Sequence, residues 1–154
     1  MVLTLKNFHL LYLVTGRQEE KDGVQTKKDG WLNIPLSGAQ ARARNRFVKI
    51  LAEKAQIVET ERMEIIARTA MQNVDGKPLV DEKGQAEFTP EGRAKFNQEY
   101  LEAMNEDCMI DVTESNRKDM ETVKTILEEL PTGLDANEGI VYEDIMAAFE
   151  KALA

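Results

Sequence analysis

A helical pattern of apolar residues runs from about Ser37 to Met71 and limits what this chain can fold into. Ala43, Phe47 and Leu51 follow one another at four-residue spacing, and this spacing places them on one face of a helix. The remaining positions are mostly charged or polar, so the helix is amphipathic. An apolar face of this length has to pack against another element.

A second helix is predicted to begin at Thr89-Pro90-Glu91, which supplies a capping oxygen, a proline in the first turn and an early carboxylate. Its apolar residues include Phe96 and Tyr100, which can cover the first helix. The connection contains Asp75-Gly76 and Lys83-Gly84, pairs that are typical of tight turns. The two helices are therefore predicted to lie antiparallel, as a helical hairpin with a small β element in its connection.

The ends of the chain predict shorter elements. The apolar run from Leu3 to Val14 fits a helix or a strand, and we favour the helix. Residues 15–30 are polar and rich in glycine, so we expect a mobile loop or an exposed hairpin. Cys108 to Val112 alternates like a strand. Two more helices are expected, one capped by Ser115 or Asn116 and one starting near Glu138.

These elements predict a mainly α fold, with α+β as the alternative. We expect a single domain over residues 1–154. It would consist of an N-terminal segment (1–36), the helical hairpin (37–106), and a strand followed by two helices (107–154). A chain of this length buries roughly two-thirds of its unfolded surface, which is enough for one core.

The composition predicts a soluble, intracellular protein. Charged residues make up 31% and hydrophobic residues 42% of the chain, and the mean hydropathy is -0.44. No apolar stretch is long enough to span a membrane, and residues 10–14 are too short for a secretion signal. Cys108 is the only cysteine, so an internal disulfide is excluded.

Charge is distributed unevenly along the chain. The formal net charge is -8. Residues 1–54 carry ten basic and five acidic side chains, a net of +5, and residues 55–154 carry ten and twenty-three, a net of -13. This asymmetry fits a dipolar surface, a contact between copies, or an acidic face for a basic partner.

The residues that could carry chemistry do not form a catalytic motif. His9 lies in an apolar run and is predicted to be a packed core residue. Ser37 and Ser115 stand where helix caps are needed, and Cys108 fits a small buried hydrophobe. Asp135–Gly139 lacks the spacing of a calcium loop and fits a capped helix start. We therefore predict no enzyme activity, no cofactor, and no catalytic, cofactor-binding or metal-binding residues.

Arg42, Arg46 and Lys49 share one face of the long helix. Such a basic face could hold phosphates. It could equally contact the acidic later half of the chain, within one molecule or between two. Because the whole protein is acidic and the face has no aromatic residue of its own for stacking, nucleic acid is not the expected partner.

Several short segments occur in an order that resembles a known family. They are Ile34–Leu36, Glu61–Glu64, Val74–Lys77, Asp81–Gly84, Lys95–Tyr100 and Asn105-Glu106. Their order is similar to that in a family of small phage and prophage proteins of unknown function from viruses of Gram-positive bacteria. The resemblance implies a viral origin and a non-enzymatic accessory role in the host cytoplasm or the virion. It supplies no functional residues.

Two functions follow as hypotheses. The first is a phage-encoded accessory protein that binds another protein, as an acidic inhibitor of a host defence protein or nucleic-acid-binding protein. The carboxylates that would face such a partner are Glu99, Glu102, Glu106, Asp107, Asp111, Glu114, Glu128 and Glu129. The alternative is a virion component or assembly chaperone that forms a homo-oligomer through the hairpin. Both hypotheses expect a host or viral protein as the partner and no membrane.

Overall fold

The long helix predicted from the apolar pattern is present in the structure, a computed structural model that describes residues 1–131 and 133–154. The elements in chain order are β1 (Val2–Lys6), a π-helix (Leu11–Thr15), β2 (Arg17–Lys21), β3 (Val24–Lys28), α1 (Gly38–Thr69), α2 (Pro90–Met104), β4 (Asp107–Asp111), α3 (Arg117–Glu128) and α4 (Ala136–Leu153). Ser37 caps α1 as predicted, because its Oγ accepts a hydrogen bond from the Gln40 N–H at 3.4 Å.

The chain forms two compact units. Residues 1–55 and 107–154 make up one, which we call the terminal unit, and residues 56–106 make up the other, the hairpin unit. The first part of α1 belongs to the terminal unit and the remainder to the hairpin unit.

In the terminal unit, β1 pairs with β4 as an antiparallel sheet. Leu3 lies opposite Ile110 and Leu5 opposite Cys108, and all four side chains are buried. The residues between them are exposed, as the two-residue repeat of a strand requires. The predicted strand after the hairpin is thus confirmed, and its partner is the first strand of the chain.

The N-terminal apolar run is divided between two kinds of structure. The prediction of a helix was wrong for Val2–Lys6, which is a strand, and right in kind for Leu11–Thr15, which forms a π-helix. Leu3 and Leu5 alternate with exposed residues, a strand signal. The nearly continuous apolar residues after Lys6 hid that alternation in the sequence.

Helices α3 and α4 supply much of the remaining core of the terminal unit. Val123 and Ile126 on α3 and Ile145 and Phe149 on α4 are buried, and the Phe149 ring lies 5.8 Å from that of Phe47 on α1. Burial of one such side chain contributes roughly 1.5–3 kcal/mol. The predicted last helix is thus confirmed: it begins at Ala136, close to the expected Glu138, and buries its apolar face.

The caps of these two helices differ. Asp135 Oδ1 accepts from the Glu138 N–H at 2.8 Å and Glu138 Oε1 accepts from the Asp135 N–H at 3.2 Å, which is a capping box. Asn116 is the N-cap residue of α3 but makes no side-chain cap. Its Oδ1 accepts from the Thr113 N–H instead, at 2.8 Å. The prediction that Ser115 or Asn116 caps this helix was therefore wrong, because both side chains bind Thr113 in the loop before α3.

Residues predicted as a loop or an exposed hairpin form the β2–β3 hairpin. Its turn residues, Asp22 and Gly23, have φ of 54° and 78°, as a two-residue hairpin turn of the primed type requires. Arg17 ties the hairpin to α4, because its Nη2 donates to Glu138 Oε2 at 2.6 Å. Both side chains are only 9% exposed. The mobility predicted for residues 15–30 stays a prediction.

The hairpin unit consists of the second part of α1, the connecting segment 70–89 and α2. Thr89 caps α2 as predicted, since its Oγ1 accepts from the Gly92 N–H at 3.0 Å. At Gly92 the backbone of α2 lies against the end of α1. A Cβ built there would lie 2.5 Å from the Thr69 carbonyl oxygen. Only glycine allows this approach without displacement.

The connecting segment repeats one turn eight residues apart. Asn73 Oδ1 accepts from the N–H groups of Asp75 and Lys77, at 3.0 and 3.1 Å. Asp81 Oδ1 accepts in the same way from residues 83 and 85, both at 2.9 Å. Gly76 and Gly84 follow three positions after the accepting side chain in each turn, with φ of 75° and 76°. These are Asx turns at the positions where the sequence predicted tight turns.

Three backbone hydrogen bonds close the connecting segment into a ring. The Leu79 N–H donates to the Met71 carbonyl, Glu87 to Leu79, and Met71 to Glu87, at 2.6, 2.9 and 2.8 Å. The small β element predicted here is therefore two isolated bridges, at residues 72/78 and 80/86. Helices make up 55% of the structure as described, which confirms a mainly α fold with a little β structure. In the described part of the chain, no helix has the length and apolar character needed to cross a membrane.

Candidate functional site

The eight carboxylates predicted to face a partner are divided between the two units. Three lie in the hairpin unit and five in the terminal unit. Three ion pairs involve them: Arg68–Glu99 at 3.3 Å, Lys6–Asp107 at 2.6 Å and Lys124–Glu128 at 3.5 Å. The other five are exposed and have no ion pair within the described residues: Glu102, Glu106, Asp111, Glu114 and Glu129. These five are the carboxylates that remain available to a basic partner.

The predicted basic face of α1 is only partly available. Arg46 donates to both carboxylate oxygens of Asp119 on α3, at 2.8 and 2.7 Å. These bonds hold the pKa of the Asp119 carboxyl below its ordinary value. Arg42 and Lys49 are exposed and make no ion pair within the described residues. One interpretation of this face was a contact with the acidic later half of the same molecule. Arg46 makes that contact.

A groove in the hairpin unit brings together residues that the sequence did not group. Its volume is about 870 Å³, within the usual range for ligand pockets. The wall from α1 contains Arg62, Met63 and Ile66, and the wall from the connecting segment includes Lys77, Pro78, Val80 and Phe88. The wall from α2 contains Arg93 and Phe96. We call this feature the basic groove.

Two aromatic rings line the basic groove, Phe88 and Phe96, and a third ring stacks on one of them. The Phe88 and Phe96 ring centroids are 5.3 Å apart, and Tyr100 stacks on Phe96 at 5.5 Å with an interplanar angle of 8°. The Arg93 guanidinium carbon lies 4.3 Å from the centroid of Phe88. A cation over an aromatic face is attracted by the ring quadrupole. This contact holds Arg93 at the groove without neutralising its charge.

The charges along the basic groove are all positive. Arg62 is paired with Glu59 through two hydrogen bonds of 2.9 and 2.8 Å, and this lowers the pKa of Glu59 below its ordinary value. Lys77 and Arg93 have no ion pair within the described residues. No carboxylate is among the groove's lining residues. Two uncompensated cations next to apolar walls make the groove suited to an anionic group with an apolar part.

The local fold explains why these side chains converge. The first Asx turn ends at Lys77, and the second leads back through Ala86 to Phe88. The close approach at Gly92 places the first turns of α2 beside the end of α1. The two turns thus bring Phe88 to the groove, and the contact at Gly92 brings Arg93 and Phe96 on α2 to the same groove.

His9 and Cys108 do not take part in this groove. His9 is 4% exposed, and its Nδ1 accepts from the Lys6 N–H at 3.0 Å. Its Nε2 is buried with no hydrogen-bond partner in the described structure, so the predicted packed histidine is only half satisfied. Burial lowers the pKa of His9 and raises that of the Cys108 thiol. Cys108 lies in the core, as predicted.

The other candidates for chemistry have structural roles. Ser37 caps α1, and the Ser115 hydroxyl shares a hydrogen bond of 2.9 Å with that of Thr113. Asp135 and Glu138 form the capping box of α4, as predicted for a capped helix start. Within the described ranges, no three His, Cys, Asp or Glu side chains are placed to hold a metal ion together.

Sequence reasoning missed Lys77, Phe88 and Arg93. Each is ordinary by itself, because a lysine after a turn and an arginine on an exposed helix are common. The eight-residue repeat from Asn73 to Phe88 was the available signal, since it predicts two equivalent turns that fold the segment back on itself.

Comparison with known proteins finds no match: the chain matches no protein-family model, no curated protein and no solved structure. The resemblance to phage proteins therefore stays a prediction.

Proposed function

We propose that this protein is a non-catalytic accessory protein that binds another protein through its hairpin unit. The observation that carries the proposal is the distribution of apolar side chains in residues 56–106. Six large apolar side chains there are exposed: Ile57, Met63, Met71, Val74, Val80 and Leu101. The buried apolar side chains of the same unit are Ile65, Ala70, Ala103 and Met104. The unit thus exposes more large apolar residues than it buries.

Exposing apolar side chains to water is unfavourable in free energy, and a concentration of them on a surface is typical of a binding site. The hairpin unit has about a third of the residues but six of the eleven large apolar side chains that are exposed in the described chain. Val74, at the tip of the first Asx turn, is fully exposed. Isolated exposed apolar residues are ordinary, so the concentration in one unit is what supports binding.

The proposal has two forms, which differ in the protein that the hairpin unit binds. In the first form the protein is a phage-encoded inhibitor in the host cytoplasm, and the five unpaired carboxylates add attraction to a basic, nucleic-acid-binding host protein. In the second it is a virion component or assembly chaperone that self-associates through the hairpin, and the partner is a second copy of this chain.

The test is an affinity pull-down with the tagged full-length chain from a lysate of Gram-positive cells, followed by mass spectrometry. The decisive comparison is between two double variants. Ile57→Gln with Leu101→Gln changes the hairpin unit at residues that are 64% and 63% exposed. Val24→Gln with Ile140→Gln changes the terminal unit at residues that are 64% and 62% exposed, so the control is matched in chemistry and exposure.

We expect one specific protein to be retained by the wild type and the control variant and lost by the hairpin variant. Light scattering at high concentration tests the second form, which requires an oligomer that the hairpin variant weakens. Equal retention by both double variants, or a wild type that retains nothing and stays monomeric, would contradict the proposal.

A further inference from the structure

We propose that the basic groove binds an acidic, extended segment of the partner protein, in which an apolar side chain lies between two carboxylates. This inference rests on the proposed function, because it names the chemistry of the segment that the hairpin unit recognises. It concerns a surface distinct from the eight predicted carboxylates, none of which lines the groove.

Charge complementarity identifies the sign of the ligand. Glu59 already neutralises Arg62, but Lys77 and Arg93 keep their charges uncompensated within the described residues, and no carboxylate shares the groove with them. A bound carboxylate near each cation would gain a charge-assisted hydrogen bond. A basic segment would meet two like charges.

The apolar walls of the groove identify the rest of the ligand. Phe88, Phe96, Ile66 and Pro78 are half-buried, and Val80 is 56% exposed. An aromatic or aliphatic side chain seated against them would remove apolar surface from water on both partners. The volume of about 870 Å³ is large enough for such a side chain with its flanking residues.

The charge of the whole hairpin unit excludes a long polyanion as the preferred ligand. Residues 56–106 contain six basic and eleven acidic side chains, a net of -5. A nucleic acid that extended beyond the groove would meet this negative surface and lose the counterion-release advantage of a basic patch. A short acidic segment meets only the local positive charge, so a peptide is favoured.

The test uses the isotope-labelled full-length protein and three peptide probes, with amide chemical shifts measured by NMR. The probes are acetyl-Glu-Phe-Glu-amide, its neutral Gln-Phe-Gln counterpart and its basic Lys-Phe-Lys counterpart. We expect the acidic probe to shift the amides of Lys77, Phe88 and Arg93. The neutral probe lacks both charge pairs and should bind about four- to 25-fold more weakly, two- to fivefold for each exposed pair. The basic probe should not shift these amides.

Substitutions separate the groove from general charge effects. Lys77→Gln and Arg93→Gln should each weaken the acidic probe about two- to fivefold, and Arg93→Lys should retain most of the binding. Lys95→Gln is the control, because Lys95 is exposed on α2 but does not line the groove. If Arg93→Gln disturbs the fold through its lost contact with Phe88, Lys77→Gln still decides the matter.

Three results would overturn the inference: equal shifts with the neutral probe, shifts that map outside the groove, or acidic-probe binding unchanged by Lys77→Gln. The pull-down tests the proposed function and the peptide probes test this inference, so either experiment can fail without the other. A retained partner with no acidic-probe binding would leave the proposed function standing and remove this inference. Acidic-probe binding with no partner and no oligomer would remove the proposed function and keep a peptide-binding groove.

Discussion

Arg46 on α1 holds Asp119 on α3 through two parallel hydrogen bonds, at 2.8 and 2.7 Å. Asp119 is 9% exposed and lies in the first turn of α3, where the helix dipole also favours its negative charge. The pair joins two sequence-distant helices of the terminal unit. Because Asp119 occupies its guanidinium, Arg46 is not free to bind a ligand, whereas Arg42 and Lys49 on the same face of α1 make no ion pair among the described residues.

We therefore predict that Arg46→Gln lowers the melting temperature by a few degrees, because a buried carboxylate loses its bidentate partner. Arg42→Gln is the matched control, one turn earlier on the same face and without an ion pair in the described residues. It should leave the melting temperature unchanged. A double-mutant cycle with Asp119→Asn measures the coupling, and additive effects of the two substitutions would refute the interaction.

The Arg17–Glu138 pair predicts sensitivity to acid. Burial favours the neutral form of Glu138, but hydrogen bonds from Arg17 and from the Asp135 N–H outweigh it and lower the pKa of Glu138 from 4.5 to about 2. A carboxyl whose folded-state pKa is lowered stabilises the fold fully above its unfolded-state pKa. This contribution is therefore lost as the pH falls from 4.5 to about 2.

Glu138→Gln tests this contribution while keeping the capping box, in which glutamine can replace glutamate. At pH 7 the substitution should lower the free energy of unfolding by about 1.5–3 kcal/mol, the range for hydrogen bonds to charged groups. The difference from the wild type should shrink towards pH 2. Urea unfolding at both pH values measures it, and a pH-independent difference would show that the charge of Glu138 is not the cause.

His9 predicts a second loss of stability, at milder acidity. Burial lowers its pKa below 6.5, with a raising influence from Asp144 and a lowering one from Lys6. The unfolded chain therefore binds the proton more readily, and stability falls as the pH drops below 6.5. The slope cannot exceed one proton, about 1.4 kcal/mol per pH unit.

His9→Asn keeps an acceptor for the Lys6 N–H and removes the titrating group. The variant should show a flatter pH dependence of the unfolding free energy between pH 6.5 and 5 than the wild type, whatever its stability at pH 8. Urea titrations at each pH provide the comparison. Identical slopes for the two proteins would show that His9 is protonated equally well in the folded state.

Local signals in the sequence predicted the helices well. Ser37 and Thr89-Pro90 mark the starts of α1 and α2 because a cap depends only on neighbouring residues. The strand at 107–111 was also visible from alternation. The identity of its partner was not, because β1 and β4 are about a hundred residues apart and nothing local specifies their register.

The eight-residue repeat could have predicted the two turns beside the basic groove, but the meeting of the groove's side chains could not be predicted, for the same reason. Its two uncompensated cations come from a turn and from α2, and Gly92 lets α2 approach the end of α1 at Thr69. The predicted basic face of α1 was apparent from spacing, yet the structure pairs its middle member with Asp119. Side chains close in sequence can be grouped in advance, whereas their partners across the fold cannot.

Two glycine substitutions should have opposite effects on stability. Gly92→Ala places a Cβ 2.5 Å from the Thr69 carbonyl oxygen, so we expect a loss of about 1–3 kcal/mol from overpacking. Gly139→Ala lies inside α4 with no atom within 4 Å of the added Cβ, and should gain about 0.4–1 kcal/mol because alanine restricts the unfolded chain. Both follow from urea unfolding. A Gly92→Ala variant as stable as the wild type would mean that the helices of the hairpin unit separate without cost, and that the groove's walls are not held by this contact.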